Sequence, residues 1–140
     1  MIVVDASVLV TALGDDGADG NQARDRLRRD SLAAPELVDL EVPSVLRRLL
    51  HGGRLSARRA ELAMSDLVAL PLRRVSHRGL LLRCWSLRGN LTIYDASYVA
   101  LAEHLGAVLV TADTRLSRGP GLGCEVEVLT RTPNRPEAST

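Results

Sequence analysis

The chain has 140 residues, a length that suits one domain rather than two. Apolar residues make up 46%, enough to build a core and exclude wholesale disorder, while aromatics are only 2% and Phe is absent. The net charge of +1 decides nothing about partners, but all 18 basic residues are arginine, and without lysine the chain can run no Schiff base, lysine nucleophile or P-loop chemistry.

Arginine remains well suited to phosphate through its fixed fork of donors. With so few aromatic rings, nucleic-acid binding would have to lean on backbone charge more than on base stacking. Cys84 and Cys124 lie far apart, outside any metal-ligand spacing, and are expected to be reduced and packed. Met1 leads into an apolar run without a charged leader, and no apolar stretch approaches the roughly 18 residues of a transmembrane helix. A soluble, cytoplasmic protein with no membrane partner is therefore expected.

Ile2-Val3-Val4 is a short β-branched run, expected to be a buried parallel strand that feeds a helix over residues 7–13. Gly14-Asp15-Asp16-Gly17 breaks the pattern, and the Arg-rich stretch 19–31 suits a surface helix. Ala34-Pro35 reads as the opening of a third helix, with Leu37, Glu41 and Val45 on one row and Gly52-Gly53 at its end. Pro43 predicts a kink or a staggered start there. Further helices are expected over residues 56–69, from an N-cap at Ser76 to Leu87, and from Thr92 to Leu105, where Gly106 stops the last. Strands are expected over 72–75, 107–110 and 125–129. The pattern gives an α/β domain over residues 1–130 with a mostly parallel central sheet flanked by helices, and a disordered tail over 131–140.

Four carboxylates stand out, each with an ordinary structural alternative. Asp5 and Asp113 follow the first strand and the strand ending at Val110, where each could also serve as a helix cap. Asp95 falls three residues after Thr92, as in a capping box. Glu41 sits among apolar neighbours on its row, where a carboxylate is costly to bury unless paired or metal-bound. Asp39, elsewhere on that helix, reads as a solvated surface charge. In open α/β sheets, sites form beyond the carboxyl ends of the strands, which is where Asp5 and Asp113 fall. A carboxylate cluster with no lysine beside it repels itself, and a hard divalent cation such as Mg²⁺ or Mn²⁺ removes that repulsion. His51, His77 and His104 have no zinc spacing and fit helix-end roles.

With these residues in hand, the chain resembles the PIN-domain family, and within it the VapC-type toxin ribonucleases of type II toxin–antitoxin systems. The matching stretches are residues 2–7, Leu40-Glu41-Val42, residues 92–103, and Thr111-Ala112-Asp113-Thr114-Arg115-Leu116, in the family's order. The resemblance implies a PIN-like fold and a Mg²⁺- or Mn²⁺-dependent endoribonuclease that hydrolyses RNA by metal-activated water, leaving a 5′-phosphate and a 3′-hydroxyl. It also implies a homodimer and a cognate VapB-type antitoxin whose tail occupies the toxin's groove. By position, Asp5, Glu41, Asp95 and Asp113 match the family's acidic quartet, as both catalytic and metal-binding residues. Ser7 matches its accessory polar residue, and Thr111 is a second candidate for that supporting role. Pro43, two residues past Glu41, is a departure that bears on the aim of that carboxylate. Arg115, beside Asp113 in sequence, is a candidate RNA-phosphate contact, with a surface salt bridge as the alternative. The rival readings are a catalytically silent PIN-like domain that binds RNA or a partner, and a phosphatase using Asp5 as nucleophile. The phosphatase is disfavoured by Ser7 where a second Asp is wanted and by the absence of lysine.

Overall fold

The run Ile2–Val4 forms strand β1, buried at all three positions, in a computed structural model that describes residues 1–130. The tail 131–140, expected to be disordered, lies outside the described residues. Four more strands follow along the chain: β2 (Leu32–Pro35), β3 (Leu72–Val75), β4 (Val108–Thr111) and β5 (Val126–Val128). They form one sheet in the order β3-β2-β1-β4-β5, and every pairing is parallel. The helices are α1 (Ala6–Gly14), α2 (Ala18–Leu27), α3 (Val38–His51), α4 (Ala57–Ala69), α5 (Leu81–Ser86) and α6 (Ile93–Leu105). Helix α1 packs against α2, α3 and α4, whereas α6 lies on β1, β2 and β4 and carries α5.

The strand order fixes where a site can form. From β1 the chain winds one way to β2 and β3, then crosses back to add β4 and β5 on the other side of β1. At that reversal the segments leaving β1 and β4 diverge and open a crevice at the strands' carboxyl ends. In register, Val4 stands beside Val110, so the residues that follow both strands meet at the same level.

Several elements depart from expectation. Leu32–Pro35 is a fully buried strand rather than a helix opening, and the preceding helix accordingly ends at Leu27 instead of running to Ser31. Alanine has little strand preference, and here pairing on both sides outweighs it: Ile2 and Val3 match Leu32 and Ala33, while Leu72 to Val75 match the whole of β2. Pro35 stands beyond the last residue paired with β1, where its missing N–H removes no bond to that neighbour. The continuous helix expected from a Ser76 cap does not form. A single 3₁₀ turn over Arg78–Leu80 precedes the short α5, and Ser76 Oγ meets the N–H of Arg78 only at 3.5 Å. Gly79, a poor helix former, sits where the missing first turn would have been.

Pro43 lies inside α3 and does not end it. The staggered start is visible instead in the first turn, where Asp39 and Leu40 donate to the carbonyls of Glu36 and Leu37 in i→i−3 fashion. Asp39 is not a free surface charge: Arg74 forks onto it with contacts of 3.0–3.2 Å and also donates to the carbonyls of Leu67, Leu70 and Leu72. That one guanidinium ties α3, the end of α4 and β3 together. Among the described residues, no helix is long and apolar enough to cross a membrane.

The small residues of β2 set how closely its neighbours approach, since Ala33 and Ala34 are both fully buried. Ala33→Leu should therefore overpack the sheet and lower unfolding free energy by about 1–3 kcal/mol. Urea unfolding of the two proteins measures this, and an unchanged midpoint would show that the layer has room.

Candidate active site

Asp5 leaves β1 in extended conformation and caps α1, accepting the Val8 N–H at 3.2 Å. The cap explains the local fold, but it uses only part of the carboxylate. Ser7 Oγ donates to the same oxygen, Oδ1, at 2.5 Å, and Thr111 Oγ1 donates to Oδ2 in a short hydrogen bond. Both hydroxyls are also acceptors: Ser7 Oγ takes the Ala112 N–H at 3.1 Å, and Thr111 Oγ1 takes the Asp113 N–H at 3.0 Å. The ends of β1 and β4 are thus cross-linked through two hydroxyls and one carboxylate. Ser7 and Thr111, the two expected supporting residues, both touch Asp5.

Around this link lies an open basin of about 890 Å³ whose walls include Asp5, Glu41, Asp95 and Asp113. Four residues spread over more than a hundred positions of sequence therefore share one concavity. Asp95 stands in the first turn of α6, whose Thr92 cap accepts the Asp95 N–H at 3.1 Å. Glu41 projects from the row of α3 that also carries Leu37 and Val45, both packed on the core. It is half-buried, and Tyr98 Oη donates to its Oε1 at 2.7 Å. Asp113 takes the N–H of Arg115 at 2.9 Å in a tight turn. The Arg115 guanidinium then forks onto both of its oxygens, at 3.1 and 2.9 Å, so the surface salt bridge is what Arg115 forms here.

The electrostatics divide the four. Burial pushes the Asp5 carboxyl above the ordinary range, opposed by its hydrogen bonds from Ser7, Thr111 and Val8 and reinforced by Asp95. Burial likewise raises Glu41 against the Tyr98 bond, with the charges of Asp95 and Asp5 adding to it. Asp95 is raised by burial and, less, by Asp113. Asp113 alone is lowered, because Arg115 is bonded to it.

Three carboxylates that resist ionising side by side are a donor set that a cation would relieve. All the donors are oxygen, which fits Mg²⁺ or Mn²⁺ rather than a thiolate- or imidazole-bound metal. Among the described residues, no three carboxylate, imidazole or thiol groups stand close enough to enclose an ion by themselves. An open basin with few direct ligands suits a small hard ion that keeps several waters. The histidines stay out of the site: His77 Nε2 accepts the Leu37 N–H at 2.9 Å, and His51 and His104 end α3 and α6.

Tyr98 was not singled out by the sequence, where an aromatic in an apolar block reads as core. It is core, with 2% of its surface exposed, yet its hydroxyl reaches Glu41. Its place three residues after Asp95, hence on the same helical face, is the signal that was there to use. Arg48 and Arg54 also line the basin, and no motif marked them.

A family model described as PIN domain matches residues 2–122. The chain belongs to the PIN-domain family. Within that family it is of the VapC type. The VapC ribonuclease Mb0985 of Mycobacterium bovis is 46% identical over 131 residues, covering 94% of this chain and 100% of that protein. Ribonuclease VapC1 of Mycobacterium tuberculosis is 41% identical over 128 residues, covering 91% of this chain and 96% of that one. The PIN fold is shared with the structure of VapBC2 from Rickettsia felis bound to a DNA fragment from their promoter. That match has a TM-score of 0.65 at 15% identity and covers 91% of this chain and 98% of the other.

The raised carboxyls make stability depend on pH in a defined direction. Asp5, Glu41 and Asp95 hold protons more tightly folded than unfolded, so their contribution is full below the ordinary carboxylate range and lost as pH rises through their elevated folded values. Asp113, lowered, acts oppositely and only at more acidic pH. In chelator, the melting temperature gained by wild type between pH 7 and pH 5 should exceed that gained by Asp5→Asn. Equal gains in calorimetry would contradict the burial cost assigned to Asp5.

Proposed function

We propose that this PIN-domain protein is a metal-dependent endoribonuclease acting as the toxin of a VapBC-type pair. One observation carries the reading: Asp5, Glu41, Asp95 and Asp113, from four separate stretches of chain, line one basin at the reversal of a parallel sheet. The names of its 46% and 41% identical relatives, both VapC ribonucleases, support the same activity.

In this reading Asp5, Asp95 and Asp113 hold Mg²⁺ or Mn²⁺, directly or through water. When bound, the ion supplies positive charge to a phosphate oxygen and lowers the pKa of a coordinated water. The residues do the rest. Ser7 and Thr111 fix the rotamer of Asp5, so that carboxylate needs no reorganisation when the substrate arrives. Glu41, with Oε1 held by Tyr98, keeps Oε2 available for the ion or for orienting the attacking water and taking its proton. Arg115 shields Asp113 in the absence of a cation and, once released, lies close enough in sequence to meet a substrate phosphate. Hydrolysis then leaves a 5′-phosphate and a 3′-hydroxyl.

The partners follow from the same reading. A VapB-type antitoxin is the proposed partner, which the name of the Rickettsia felis VapBC2 structure supports; its tail would cover the basin, and the pair would act in the cytoplasm. A homodimer is the proposed assembly, for which the exposed Leu81, Leu82 and Trp85 of α5 offer apolar surface.

Cleavage of a mixed RNA pool by purified, antitoxin-free protein tests the reading. Cutting should require Mg²⁺ or Mn²⁺, stop with chelator, and fall at least about 100-fold in Asp95→Asn, the scale of losing one preorganised electrostatic group. Circular dichroism should show that variant folded. Undiminished cutting by it would remove Asp95 from the site, whereas metal-independent RNA binding without any cutting would favour the silent PIN-like domain.

A further inference from the structure

We infer that Arg48 and Arg54 form the phosphate-binding wall of the basin and hold the RNA strand beside the acidic wall. The inference rests on the ribonuclease reading and specifies how the substrate lies in that same site.

A carboxylate basin repels the polyanion it is meant to cut. A cation at the acidic wall can neutralise one phosphate, but the flanking phosphates need positive charge of their own. Arg115, bonded to Asp113, belongs with the acidic wall and on release serves the phosphate there, so the flanking phosphates need another source. Arg48 and Arg54 both line the basin and are exposed. Among the described residues, neither guanidinium makes a hydrogen bond or ion pair. Most other arginines near these elements are spent: Arg24 on backbone carbonyls, Arg59 on Asp16 at 3.1 Å, Arg74 on Asp39.

The backbone brings the two together. Arg48 lies seven residues after Glu41 on α3, two turns along the same face and about 10 Å farther down the axis. Helix α3 then stops in a turn in which Gly53 takes φ 70°, a conformation that side chains other than glycine rarely adopt. That turn folds the chain back so that the Arg54 N–H donates to the Leu49 carbonyl at 2.9 Å. Arg54 is thereby returned to the helix end that carries Arg48.

Of the acidic residues that line the basin beside them, Asp16 is paired with Arg59, and neither Asp15 nor Asp16 is bonded to Arg48 or Arg54. Val45, Leu49 and Leu55 add apolar lining, and Arg48 and Arg54 bring positive charge to the basin that also holds the four carboxylates. An extended single strand matches it by placing one phosphate at the carboxylates and its neighbours at the guanidinium forks.

The experiment measures binding of a labelled single-stranded RNA by fluorescence anisotropy in chelator, where nothing is cut, across 50 to 200 mM salt. Two lost contacts should reduce the salt slope by about 1.4 in Arg48→Gln/Arg54→Gln, so affinity falls about sevenfold less over that range. Arg47→Gln/Arg58→Gln removes equal charge from α3 and α4 off the basin, and its slope should match wild type. In Mn²⁺, the basin variant should raise KM and leave kcat near wild type. Equal slopes for the two double variants, or an unchanged slope in the basin variant, would overturn the inference while leaving the nuclease reading intact. Wild-type protein that neither binds nor cuts RNA would overturn both.

Discussion

The structure depends on the bond network that joins the ends of β1 and β4 through Asp5. Parallel neighbours cannot be closed by a tight turn, so beyond the last backbone bond of this pair, from the Asp5 N–H to the Val110 carbonyl at 3.2 Å, the carboxyl ends are held together by side chains and the segments that follow. Here one carboxylate receives Ser7 and Thr111, and those hydroxyls in turn receive the N–H groups of Ala112 and Asp113. Each hydroxyl both donates and accepts, and both carboxylate oxygens are bonded, which is how a buried polar network avoids the cost of unsatisfied groups. The network sets the spacing of the crevice, and Asp113 emerges from it already aimed.

Burial and repulsion then act against the carboxylates, and the fold accepts that cost at the one place where the sheet leaves a crevice. Tyr98 on α6 partly offsets it for Glu41, as Arg115 does for Asp113. Asp95 has Thr92 at its own helix start and, more weakly, the charge of Arg115. In the proposed reading, a cation would relieve that cost.

Much of this was legible in the sequence. Two β-branched runs each followed by Asp, a Thr cap before Asp95 and a Gly stop at Gly106 all translate directly into local structure, since each is a short-range effect. What the sequence hid was long-range. Strand β2 could not be read from Leu-Ala-Ala-Pro, because its identity comes from two neighbours rather than from its own propensities. Asp39 looked solvated because its partner, Arg74, lies on another element, and Tyr98 looked like plain core because only its last atom is functional in aspect. The basin itself was inferred from the strand ends, but its basic wall depends on a turn at Gly53 whose direction no local pattern gives.

The middle of α6 carries a further consequence. From Ala96 to Ala102 seven consecutive residues are buried, so for two turns the helix has no solvent face at all. Its amides are expected to exchange with solvent only when the core itself opens; Tyr98 rides on that segment, and Asp95 immediately precedes it in the first turn. Asp113 and Arg115 instead occupy an exposed turn that can open alone. The crevice thus has one wall backed by a fully buried stretch of helix and one free to adjust locally, a rigid anvil facing a compliant jaw.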